Sequence, residues 1–150
     1  MKKNLIATIY LKNGKLVSGF NDYTEQDDLM ERIRLYNDNG IDKIYLFDLS
    51  DNDAEHELNL HTMKEINRVS EIPVYAGGNI NRLEDIKKIL YAGCKKAILN
   101  PVKDVTAHLS KEGAMRFGKE TLALSIHNVD LFFKQKEDRQ CQSFFTKSHS

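Results

Sequence analysis

Cysteine is scarce: Cys94 and Cys141 are the only two among 150 residues. Two thiols make neither a disulfide framework nor a zinc site. They are expected to be free, in a reducing compartment such as the cytoplasm. An excess of one charge is also missing, with 22 basic residues against 22 acidic. A nucleic-acid footprint needs clustered surplus Lys and Arg, so none is expected. An anionic small molecule stays open, because helix N-termini and loop amides bind phosphate without net positive charge. No apolar run approaches the ~18 residues of a membrane span, so no membrane association is expected. The basic opening Met1-Lys2-Lys3-Asn4 leads into a short strand-like stretch with no small-residue cleavage signature, which argues against a secretion signal.

What is present is a pattern. Hydrophobic residues make up 41% of the chain and charged residues 29%, enough for one domain with a core and a solvated surface. Leu5–Leu11 is rich in β-branched residues and reads as a strand. Asn13-Gly14 marks a turn, after which Leu16–Phe20 extends a short ribbon. Asp27 and Asp28 open a helix over Leu29–Asp38, with Leu29, Ile33 and Tyr36 on one face and Asn39-Gly40 closing it. Further strands are expected at Lys43–Leu49, Ile72–Ala76, Lys96–Leu99 and Leu122–Ile126. Between them fall helices at Asn59–Val69, Leu83–Ala92 and Leu109–Phe117.

Strand and helix alternate at spacings of roughly 25–35 residues, which implies parallel strands with right-handed crossovers. The class is α/β. Either a doubly wound open sheet or part of a TIM (β/α)8 barrel fits, and periodicity does not choose. Residues 1–127 form the expected domain. Residues 128–150, with Phe132-Phe133 and Phe144-Phe145 around a charged run, lose the strand period and read as a helical or disordered tail.

Candidate chemistry gathers where strands end. Ala76-Gly77-Gly78-Asn79 lies between a strand and a helix. Without Cβ atoms the backbone can approach an anion and point N–H groups at it, or simply make a tight turn. Asn100, ending the next strand, can donate its carboxamide to a phosphate oxygen or cap its own turn. On one face, the two loops would form a phosphate cup. Asp48 ends the second strand, as a residue lining the mouth of a barrel or as a buried carboxylate capping the next loop. Asp51, Asp53, Glu55, His56 and Glu57 beyond it match no metal spacing, so a solvated acidic loop is expected and no metal or other cofactor. Tyr10 and His127, near the ends of the first and fifth strands, could titrate at the mouth or serve structurally. His61, His108 and His149 read as surface residues.

The segments LIATIYLKNGKLVSGF, IDKIYLFDLS, IPVYAGGNI and AGCKKAILN, taken together, resemble one family. They are similar to the cyclase subunit of imidazole glycerol phosphate synthase and to the ribonucleotide isomerase of the same pathway. The resemblance implies a TIM-type barrel with its active site at the C-terminal face. It implies a phosphate site from the loops after strands three and four, carried by Gly77, Gly78, Asn79 and Asn100, and mouth-lining positions at Asp48 and Ser18. A phosphorylated ribose is the implied ligand.

The chain departs from the family's pattern. The cyclase relies on two aspartates, where this sequence has Tyr10 and His127. A lysine common in the first loop is Ser18. Tyrosine titrates near ~10 and is a poor substitute for a carboxylate base. Cyclase turnover is therefore expected to be lost. Five strands of an expected eight leave open edges, so self-association, a glutaminase or a downstream histidine-pathway module are the expected partners. The sequence also resembles the degenerate barrel at the N-terminus of bifunctional phosphoribosyl-AMP cyclohydrolase/phosphoribosyl-ATP pyrophosphohydrolases. Two alternatives stay open: a still active cyclase-type lyase, and an open-sheet binding domain with its ligand at a topological switch point.

Overall fold

The computed structural model describes residues 4–26 and 28–124. His127, Cys141 and the tail segment lie outside the described residues. Strand β1 (Ile6–Lys12) turns through Asn13 and Gly14, both at positive φ (55° and 75°). That turn suits a tight hairpin and leads into β2 (Lys15–Gly19), antiparallel to β1. A short edge strand, β3 (Asp22–Glu25), completes the ribbon. All four of its residues are exposed, so no hydrophobic alternation announced it.

The helices and remaining strands then alternate: α1 (Leu29–Asp38), β4 (Lys43–Asp48), α2 (Asp53–Val69), β5 (Val74–Gly77), α3 (Leu83–Tyr91), β6 (Lys96–Leu99), α4 (Thr106–Phe117), a 3-10 turn (Lys119–Thr121) and β7 (Leu122–Leu124). The sheet order is β3-β2-β1-β4-β5-β6-β7. The strands β1, β4, β5, β6 and β7 pair in parallel, each beside the next in sequence. A doubly wound sheet would reverse direction in this order. Apart from the antiparallel β2–β3 ribbon, the described parallel strands do not, which sets aside the open-sheet alternative and leaves a partial (β/α) barrel.

Strand alternation divides the side chains into two layers. Ile9, Leu11, Ile44, Leu46, Val74, Ala76, Ala97 and Leu99 pack against Ile33, Leu60, Met63, Ile66, Ile86, Ile89 and Leu109 of the helices. Phe47, Tyr75 and Ile98 face the other way, with Tyr10, Phe20, Tyr45, Leu49 and Ala123 packed on them.

Helix α2 begins six residues before the sequence reading put it. The Asn52 side chain caps it, accepting from the Glu55 amide at 2.9 Å, and Asp53 and Glu55 place negative charge in the first turn. Both features stabilise a helix N-terminus. The expected solvated acidic loop is thus the opening of a helix. Its buried stripe, His56, Asn59, Leu60, Met63 and Ile66, follows helical spacing.

Candidate functional site at the carboxyl ends of the strands

Asp48 occupies the second of its two expected roles. It shares strand parity with Ile44 and Leu46, so its side chain enters the helix layer, where it is 2% exposed. It does not line the mouth. One carboxylate oxygen accepts from the Ser50 amide (3.0 Å) and from Asn59 Nδ2. The other pairs with His56 Nδ1. Asn59 also donates to the Leu11 carbonyl (3.1 Å) and accepts from the Gly14 amide (2.7 Å). This buried network therefore ties together β4, α2 and the hairpin after β1. Beside it, Lys12 Nζ bridges Asp51 (2.6 Å) and Glu55 (2.9 Å).

The glycine loop leans on the same place. Gly78 has φ +92°, and a Cβ there would lie 2.9 Å from the Asp48 nitrogen and run into its carbonyl oxygen. Two backbones thus meet at a distance only glycine permits. Asn79, at φ 57°, donates its side-chain N–H2 to the Ser50 carbonyl (2.6 Å) and hydroxyl oxygen (2.8 Å). The loop after β5 is bolted to the loop after β4.

Asn100 directly follows β6, the neighbour of β5, so its loop and the glycine loop leave the same end of the sheet. It is 5% exposed. Its Oδ1 accepts from the Val102 amide (3.1 Å), and its carbonyl accepts from Thr106 Oγ1. The second bond folds the first residue of α4 back onto Asn100. Pro101 has no N–H to offer a ligand.

Tyr10 lies in the inner layer, in an aromatic group with Phe20 (ring centroids 4.8 Å apart) and Phe47 (5.9 Å). Burial pushes its hydroxyl pKa above the usual 10.0, which moves it further from use as a base at neutral pH. Ser18 is exposed on the ribbon, its hydroxyl bonded to Gln26 Nε2 (2.6 Å) and the Thr24 carbonyl (3.4 Å). His61 and His108 are exposed, as expected.

Two buried residues escaped sequence reasoning. Hydropathy alone reads Asn59 only as the start of a helix and His56 only as part of a loop. Stepping back four residues from Leu60 reaches His56, so helical periodicity was the signal that could have found it. The His56 imidazole is held more readily protonated than usual, chiefly by its hydrogen bond to Asp48 and against the opposing effect of burial. Among the described residues its Nε2 is buried without a hydrogen-bond partner. Cys94 is buried, and burial raises its thiol to about 11, so it is not a nucleophile. Among the described residues no group of three or more His, Cys, Asp and Glu could hold a metal ion. No described helix is long and apolar enough to cross a membrane.

Comparison with known proteins agrees with this architecture. The family described as "Histidine biosynthesis protein" matches residues 4–143. The chain is 32% identical over 128 residues to imidazole glycerol phosphate synthase subunit HisF of Helicobacter hepaticus, covering 84% of this chain and 51% of that protein. It is 30% identical to the same subunit from Halalkalibacterium halodurans (84% and 51%) and from Wolinella succinogenes (84% and 50%). The chain spans about half the length of these curated relatives. With strand order and family match in agreement, the chain belongs to the histidine biosynthesis protein family.

Proposed function

We propose that this partial barrel binds a phosphoribosyl-type ligand through the loops after β5 and β6 and does not turn over as a cyclase. The observation that carries the reading is the pairing of two turns at one end of the sheet. Gly77-Gly78-Asn79 and Asn100 follow adjacent parallel strands, and Thr106 draws the start of α4 back to Asn100. Glycine backbone, carboxamide and helix N-terminus are the usual components of a phosphate site. Tyr10 supports the second half of the proposal. A half-buried phenol in an aromatic group cannot do the work of an ionised carboxylate. Self-association, or pairing with another histidine-pathway module, belongs to the same proposal. The relatives' name, a synthase subunit, makes a glutaminase partner a candidate as well.

Thermal unfolding with ribose 5-phosphate tests the binding. A ligand at a hundredfold excess over Kd stabilises by about 2.7 kcal/mol. The midpoint should rise, and the rise should shrink in Asn100→Ala. No rise, or one unchanged by that substitution, overturns the phosphate site. A turnover assay with the formimino ribonucleotide and ammonia tests the rest, since measurable synthase activity refutes the loss of cyclase function.

A further inference from the structure

The dipeptide Asn-Gly occurs twice in the chain, at Asn13-Gly14 and Asn39-Gly40. It has a reactivity of its own. With no side chain on the following residue, that residue's backbone nitrogen can close on the asparagine Cγ. The new N–C bond expels the side-chain nitrogen as ammonia and leaves a five-membered succinimide, whose imide nitrogen carries no hydrogen. Water then opens the ring at either carbonyl, its hydroxyl going to carbon and its proton to nitrogen. The product is aspartate or isoaspartate, the latter with one extra carbon in the main chain.

The fold treats the two pairs differently. The Gly14 amide donates to Asn59 Oδ1 at 2.7 Å, and the Gly14 carbonyl accepts from Thr62 Oγ1 at 2.8 Å. Asn59 is fully buried. Ring closure at Gly14 would remove the amide hydrogen and leave a buried oxygen without that donor, which is unfavourable. Gly40 lies outside any such network. It is exposed, and its amide donates to no partner among the described residues. No heavy atom beyond its chain neighbours stands within 4 Å of where a Cβ would be. The exposed Asn39 carboxamide gives one hydrogen bond, to the Leu35 carbonyl (2.6 Å). That carbonyl is among the last four of α1, where helix ends open readily and water competes.

We propose that Asn39-Gly40 is a spontaneous modification site, converting to aspartate and isoaspartate in the folded chain while Asn13-Gly14 is protected. The consequence falls on α1. Asn39 is its C-cap, and the amides of Asn39 (3.3 Å) and Ile41 (3.4 Å) both reach the Tyr36 carbonyl. A new carboxylate there stands next to Asp38 at the negative end of the helix, whose last turn has no basic residue. The Leu35 carbonyl loses its side-chain donor as well. Conversion therefore loosens the last turn of α1.

The test is to age the full chain at mildly alkaline pH and follow both peptides by mass spectrometry, with isoaspartate read by enzymatic methylation of its carboxylate. Asn39 should convert about tenfold faster than Asn13 or more, the rate equivalent of one hydrogen bond lost at Gly14. In denaturant the two rates should converge. Amide hydrogen exchange in the last turn of α1 should quicken in the aged chain and not in aged Asn39→Gln. Equal rates in the folded chain, or faster conversion at Asn13, overturn the proposal. A difference that persists in denaturant also overturns it, since flanking residues and not the fold would then set the preference. Unchanged exchange in α1 after conversion overturns the loosening.

Discussion

Phe47 and Asp48 are consecutive in β4, yet they belong to different kinds of interior. Phe47 joins Tyr10 and Phe20 in the inner aromatic layer. Asp48 enters the helix layer and gathers Ser50, His56 and Asn59 around its two oxygens. The first environment is held by area and shape, which tolerate replacement by residues of similar size. The second is held by directional bonds that must all be satisfied at once. The strand end is therefore soft on its inner side and exacting on its outer side.

The largest expected effect falls where the outer side meets the glycine loop. Gly78→Val should destabilise the fold by about 4 kcal/mol or more, read as a denaturant midpoint, because it adds a Cβ to a left-handed position already touching the Asp48 backbone. A loss under ~1 kcal/mol would show that the two loops are not in fixed contact. Asp48→Ala comes next. It strands the Ser50 amide, His56 and Asn59 as donors, and about 3 kcal/mol should be lost.

A smaller effect should appear as a pH dependence. The folded His56 pKa is raised above 6.5 by Asp48. Its stabilising contribution is then complete below the unfolded value and declines as pH rises through the folded one. Wild-type stability should fall with rising pH in that window, and His56→Gln should flatten the slope. A slope that survives the substitution assigns it elsewhere. Smallest is Tyr10→Phe, which keeps the ring packing on Phe20 and Phe47 and should change stability by less than ~1 kcal/mol. A loss comparable to that of Asp48→Ala would erase the contrast between the two faces.

The sequence made some of this legible and hid the rest for physical reasons. Buried parallel strands with β-branched runs and the intervening amphipathic helices announce themselves, and Lys96–Leu99 and Leu29–Asp38 fall where periodicity puts them. Strand order needed the family resemblance at first and the pairing afterwards, because alternation alone suits two architectures. The start of α2 was hidden by its chemistry. Asp53-Ala54-Glu55-His56-Glu57 looks like a solvated run because hydropathy scores His56 as polar, whereas an imidazole beside a buried carboxylate is a core residue. For the same reason the sequence leaves Asp48 with two roles. A strand's parity tells which layer a side chain enters, but only the position of a partner helix tells whether that layer can satisfy a charge. β3 carried no signal, since an edge strand exposed at every position has no hydrophobic pattern to detect.

The meeting of Gly78 with the Asp48 backbone carries a lesson about inheritance. The demand for a bare α-carbon at residue 78 comes from neighbouring main chain, not from any molecule that visits the barrel. A lineage could abandon its chemistry and still be obliged to keep that glycine, as a wall keeps its keystone after the building changes use. Residue 100, whose side chain is tied among the described residues only to its own loop, is under a weaker obligation of that kind. Its fate across relatives is the better record of whether something still binds there.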